Sequence, residues 1–159
     1  MKNKVEKIEQ LFQESIKVKT EVIDSGITES LVSMGLLSVK AIQEGNKLML
    51  CGNGGSAADA QHLAAEMLVR LRPNNNREGI PAIALAQDTS TITACGNDFG
   101  YNQLFSRLVQ TLGHKGDILI AITTSGNSKN IIAAMKAAKK IGIFLFGFLG
   151  SKGGEALKY

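Results

Sequence analysis

A short apolar run, residues 47–51, leads straight into three glycines in four positions, Gly52, Gly54 and Gly55, and then into an alanine-rich helical segment. This junction of strand, glycine turn and helix is demanding. Glycine lets the backbone turn sharply and come close to a ligand. The N–H groups at a helix start point into such a turn and form a nest for an anion. Ser56 is placed to cap the helix, with Asp59 three residues on as a partial capping box. His62 and Glu66 follow at i, i+4 spacing and fall on one helix face. An anion cradle beside a His/Glu pair points to chemistry on a phosphorylated substrate.

The rest of the chain repeats that alternation. Val5, Ile8, Phe12 and Ile16 recur at helical spacing within residues 3–23. Thr28 is placed to cap a second helix over 28–44, ended by Gly45. Two helices before the first strand exceed what one sheet face requires, so the first is expected to pack partly on another subunit. Helix 57–71 precedes strand 82–86, and a short helix runs to Cys95. Residues 96–100 read as a second glycine-flanked turn, followed by helix 101–112, strand 118–122, the polar turn 123–128, helix 130–141 and strand 143–148. Gly142 is expected to stop the last of these helices. Strands alternating with helices predict a parallel sheet covered on both faces, a three-layer αβα sandwich preceded by two N-terminal helices. Ligands of such sheets bind outside the carboxyl ends of the strands. Residues 52–56, 88–90 and 123–128 all fall at that edge, and 96–100 can join them. Residues 155–159 begin what reads as a helix, so a further strand and covering helix are expected after Tyr159.

Composition narrows the function classes. The 159 residues suffice for one domain with a substantial core, at 44% hydrophobic and 20% charged. The net charge of +4 comes from lysines near both ends and reads as solvated helix faces. No tryptophan and 5% aromatics argue against stacking on single-stranded nucleic acid, and no direct nucleic-acid partner is expected. Cys51 and Cys95 form no C-x-x-C pair and read as reduced structural thiols of a cytosolic protein. The charged N-terminus has no apolar signal region, and no apolar run approaches the ~20 residues of a membrane span, so no membrane association is expected.

Gly52, Gly54 and Ala57 match the dinucleotide fingerprint in form, but the acidic residue expected about 20 positions on is not there. Thr123, Thr124, Ser125 and Ser128 supply hydroxyls ahead of a helix, a composition suited to phosphate held by neutral donors. The plainer role for Ser128 is a helix cap. For Glu66 the plainer role is a surface ion pair with Arg70. His62 and Glu66 can also supply two ligands to one Zn²⁺, with two more required from elsewhere. His114, in a glycine-flanked turn, is far in sequence from the ligand edge and is not read as a ligand.

Taken together, these motifs resemble the SIS (sugar isomerase) domain family. The resemblance runs from about Gly45 to Gly154 and rests on Cys-Gly-Asn-Gly-Gly-Ser at 51–56, His62 with Glu66, Gly-Asn-Asp-Phe-Gly at 96–100 and Thr-Ser-Gly-Asn-Ser at 124–128. It implies a Rossmann-like fold and an aldose–ketose isomerase acting on a phosphorylated sugar. Within the family, it points to the branch that converts sedoheptulose 7-phosphate to a manno-heptose 7-phosphate for lipopolysaccharide or capsule. By that resemblance Asn53, Gly54 and Gly55 line the sugar site, with Ser56, Asn97 and Asp98 also on the substrate. Thr123, Thr124, Ser125 and Ser128 hold the phosphate. His62 and Glu66 match zinc ligands, and Glu66 also matches the catalytic base. A Gln and a His on a final helix complete that zinc site in the family, and no residue here matches either. The resemblance further implies a cytoplasmic homotetramer with sites built between subunits. The alternative it carries is a non-catalytic SIS protein, either a sugar-phosphate sensor or an adapter for the replication initiator.

Overall fold

The computed structural model describes residues 2–85 and 88–159. Two compact units divide the chain between Leu37 and Ser38. The first holds helix α1 (Lys2–Asp24) and the start of α2 (Ile27–Gln43). α1 keeps its apolar stripe exposed: Val5, Ile8, Phe12 and Ile16 are each half exposed or more. Thr28 lies inside the first turn of α2 and does not cap it. That turn is reached through Gly26, at φ +77°, and Ser25 Oγ accepts from the Ile27 N–H at 3.4 Å. Among the described residues no single helix is long and apolar enough to cross a membrane.

The second unit is built on four parallel strands, β1 (Leu48–Gly52), β2 (Ala82–Ala84), β3 (Ile118–Thr123) and β4 (Phe144–Leu149), in the order β2-β1-β3-β4. Between them run α3 (Gly55–Leu68), α4 (Thr89–Asp98), α5 (Leu104–Leu112) and α6 (Lys129–Ile141). Strand side chains alternate between two cores, as the pleat requires. Leu48, Leu50, Ile118 and Ile122 pack with Ala41, Ala60 and Ala64 of α2 and α3. Met49, Cys51, Leu119 and Ala121 pack with α4, α5 and α6 through Cys95, Phe105, Val109 and Met135. Helices therefore cover both faces, as the alternating pattern predicts. The chain reverses its direction across the sheet between β1 and β3, and such a reversal opens a crevice at the strands' carboxyl ends.

Several boundaries differ from the sequence reading. α3 stops at Leu68, so Arg70 lies beyond the helix and forms no ion pair with Glu66. β2 ends at Ala84, and the expected end at residue 86 lies outside the described residues. α4 does not stop at Cys95 but continues through Gly96 and Asn97 to Asp98. Its start is strong, because Asp88 accepts from the Ser90 and Thr91 N–H groups, and nothing crowds the exposed Gly96. Residues 101–103 form a 3-10 turn ahead of α5. Gly142 ends α6 in the left-handed conformation, φ +85°, as expected.

Candidate active site

The turn after β1 depends on close backbone approach. A Cβ on Gly52 would run into the backbone of Ser56. Gly54, at φ +54°, sits at the N-cap of α3 and makes no side-chain cap bond. Ser56 is thus inside the first helical turn, not the cap, because the glycine backbone alone starts the helix. Its hydroxyl faces a cavity of about 70 Å³ shared with Asn53, Ile122, Thr123, Thr124 and Ser128. This volume is roughly twice a water's share of the liquid. Every polar side chain lining it is neutral. The Thr123 and Ser128 hydroxyls lie 3.3 Å apart. Ser128 stands at the N-cap position of α6, yet its hydroxyl makes no cap bond and pairs with Thr123 at the cavity wall instead. The crevice between β1 and β3 thus gathers hydroxyls from two helix starts on opposite sheet faces.

Ser125 is exposed, accepts from the Asn127 N–H at 3.2 Å and does not line that cavity. Gly54 and Gly55, exposed in the turn before Ser56, do not line it either. Asn97 and Asp98 close α4, where Asn97 Nδ2 donates to Asp98 Oδ1 at 2.8 Å. They too lie outside the cavity, but Tyr101, three residues beyond Asp98, donates to the Oδ1 of cavity-lining Asn53 at 2.9 Å. The chain's last turn closes over the same loop. A Cβ on Gly126 would collide with the Gly153 carbonyl, and the Ala156 N–H donates to Gly126 O at 2.9 Å.

His62 and Glu66 sit nearly two and nearly three turns further along α3. With a rise of 1.5 Å per residue, they lie about 9 and 15 Å from Ser56 along the axis. His62 Nε2 and Glu66 Oε1 are 3.8 Å apart, with the His62 side chain 70% exposed and Glu66 26%. Both line a second cavity of about 390 Å³, walled by Leu63, Met67 and the loop carrying Arg72, Asn75 and Arg77. The sequence reading missed Arg77. Its guanidinium donates to Glu66 O at 2.6 Å and Met67 O at 2.9 Å, satisfying the carbonyls at the end of α3 beneath Glu66. No composition signal marks Arg77 within a polar loop. In one chain the hydroxyl cradle and the His/Glu pair therefore open into separate cavities.

Other polar groups are structural. Asp88 caps α4, and the Thr91 hydroxyl with the Thr91 and Ser90 N–H groups holds its carboxyl below the usual carboxylate value. Burial pushes the Cys51 thiol up to about 12, which leaves it unreactive. His114 lies at the opposite, amino edge of the sheet, its Nδ1 3.3 Å from Lys47 Nζ.

Fold and crevice together define a sugar-phosphate-binding SIS domain. The SIS domain family profile matches residues 11–150, and the chain belongs to that family. It is 46% identical over 153 residues to the phosphoheptose isomerase of Clostridium acetobutylicum, covering 96% of this chain and 77% of that protein. It is 49% identical to the phosphoheptose isomerase of Roseiflexus sp., covering 93% and 74%. Among solved structures, the phosphoheptose isomerase from Francisella tularensis superposes with a TM-score of 0.91 at 35% identity, covering 97% of this chain and 79% of that one. The phosphoheptose isomerase from Neisseria gonorrhoeae gives 0.87 at 40%, covering 96% and 78%.

Proposed function

We propose that this protein converts sedoheptulose 7-phosphate to heptose 7-phosphate, an aldose–ketose isomerisation through an enediol. The observation that carries this reading is the neutral-donor cradle at the β1/β3 crevice, in a chain nearly half identical to phosphoheptose isomerases. Hydroxyls of Ser56, Thr123, Thr124 and Ser128 hold the phosphate, with Ser125 of the same turn joining from outside the cavity and the start of α6 helping. Asn53, Gly54, Gly55, Asn97 and Asp98 line the sugar. The Glu66 carboxylate takes a proton from carbon 1 and, after that proton exchanges with solvent, delivers one to carbon 2, while a hydroxyl proton moves from O1 to O2. A placed base supplies about 10²–10⁴-fold. The remote phosphate grip holds the reacting carbons over Glu66.

His62 and Glu66 also fit zinc as two of four ligands. Imidazole nitrogen and carboxylate oxygen are ordinary zinc donors, here 3.8 Å apart on one cavity wall. No group of three such side chains forms among the described residues, so the other donors come from elsewhere. When bound, the metal would polarise the substrate carbonyl. The exposed apolar stripe of α1 supports a homo-oligomer, read as a tetramer, in which the cradle of one chain meets the His/Glu cavity of another. Buried, unreactive Cys51 suits the reducing cytoplasm.

Mixing the protein with sedoheptulose 7-phosphate and following the aldose product tests the proposal. Turnover is expected. Binding with no product would favour a sugar-phosphate sensor, and neither binding nor turnover an adapter.

A further inference from the structure

Asn130, in the first turn of α6, is only 3% exposed, and a polar side chain so buried beside a binding turn calls for a physical reason. Its orientation is fixed by its neighbour. The Ile131 N–H donates to Asn130 Oδ1 at 2.9 Å, so the other end of that amide is the NH₂ group. This group donates to Asn53 Oδ1 at 2.8 Å, and Asn53 Nδ2 donates back to Asn130 Oδ1 at 3.0 Å. The Tyr101 hydroxyl adds a second donor to Asn53 Oδ1. The Asn53 oxygen thus has two donors, one for each lone pair, and one of its amide hydrogens is taken. What Asn53 has left to offer the cradle is its second N–H.

We infer that Asn130, supported by Tyr101, is a positioning residue that sets the polarity of the cradle. It holds the Asn53 amide with a hydrogen, and not an oxygen, toward the bound anion. The inference rests on the phosphate reading of that cavity. The hydroxyls of Ser56, Thr123, Thr124 and Ser128 rotate freely to donate or accept. The Asn53 amide does not, because a flip would break both of its bonds to Asn130 and turn its NH₂ group toward the Tyr101 hydroxyl. A flipped amide would set an acceptor oxygen against phosphate oxygens, and the cradle would lose its one fixed side-chain donor.

The test uses the full-length protein, calorimetry with inorganic phosphate, and steady-state kinetics with sedoheptulose 7-phosphate. Asn130→Ala removes the clamp without adding charge. Asn130→Asp keeps the size and the acceptor but loses the donor to Asn53 Oδ1. Both should raise the phosphate Kd and the KM, about fivefold for Asn130→Ala and about tenfold or more for Asn130→Asp, with kcat changed less than about threefold. Loss in Asn130→Asp alone would mean that charge, not orientation, is responsible, and would overturn the inference. So would lower thermal stability with phosphate Kd and KM unchanged, the mark of a merely structural residue. If neither variant folds, Tyr101→Phe decides. It sits at a half-exposed position and should raise the phosphate Kd about two- to threefold. An unchanged Kd there would overturn the inference. Wild-type protein that binds phosphate without turning over the sugar would remove the isomerase reading alone. Wild-type protein that does not bind phosphate would overturn both.

Discussion

At the amino edge of the sheet, Asp117 is closed in on every side. Lys47 Nζ lies 2.6 Å from its Oδ2, the His114 N–H donates at 2.7 Å and the Lys47 N–H at 3.0 Å. These bonds tie the entries of β1 and β3 together. At the carboxyl edge of the same two strands, the turns 52–56 and 123–128 bring hydroxyls to a cavity that, among its lining residues, holds no charge to satisfy them. One edge closes its polar groups around a buried charge, and the other gathers neutral donors with no charge among them. The contrast separates stability from function: closed networks hold strands in register, and open donors mark where substrate goes.

Several measurements would break or sharpen that division. The largest effect is expected at Glu66. Glu66→Gln keeps the shape but accepts no proton, so kcat should fall about 10²-fold or more with little loss of stability. Metal content measured on the same sample should also fall, since an amide is a poorer zinc donor than a carboxylate. Near wild-type turnover would make the His62/Glu66 pair structural.

Asp117→Asn should do the opposite. Breaking a buried pair by removing one partner costs about 3–5 kcal/mol, so denaturant melts should show a large loss while kcat per folded molecule stays at wild type. A drop in kcat at full stability would erase the distinction between the two edges. Ser128→Ala should weaken sugar-phosphate binding by about 1.5–3 kcal/mol, the worth of a hydrogen bond to a charged group, and leave the melting temperature nearly unchanged. Calorimetry decides it, with Ser38→Ala as the control position.

The smallest effect is in pH. Burial works to raise the Asp117 pKa, but the Lys47 ammonium and the His114 and Lys47 N–H groups outweigh it and hold it below 3.8. A folded value below the unfolded one contributes stability that is complete above about pH 4 and is lost as pH falls through the folded value. Melting temperatures between pH 7 and 3 should therefore drop at the acid end in wild type and change less in Asp117→Asn. Equal slopes would mean that other carboxylates carry the acid sensitivity.

Much of this was legible in the sequence because it depends on local chemistry. Apolar runs bounded by glycine gave the strands, and the alternation of strand with helix gave the parallel sheet. The glycine turn at 52–55 and the hydroxyl turn at 123–128 marked the carboxyl edge. Local rules misled where backbone geometry did their work. Ser56 read as a helix cap, yet the glycine turn starts α3 without its hydroxyl. Gly96 read as a breaker, yet the strong Asp88 cap carries α4 past it. What stayed hidden is tertiary. Asn53 meets Asn130 across 77 positions and Tyr101 across 48, and no spacing rule pairs them. Arg77 reads as one more charge in a polar loop until the end of α3 is set beside it.

The central claim is that Glu66 moves a proton between adjacent carbons of a sugar phosphate gripped by the carboxyl-edge cradle. The direct measurement is isomerisation of sedoheptulose 7-phosphate by the wild-type protein in D₂O, followed by NMR. Base-catalysed enediol chemistry predicts heptose 7-phosphate carrying solvent deuterium at carbon 2. Product formed with that hydrogen wholly retained as protium, or tight binding with no product, would contradict it.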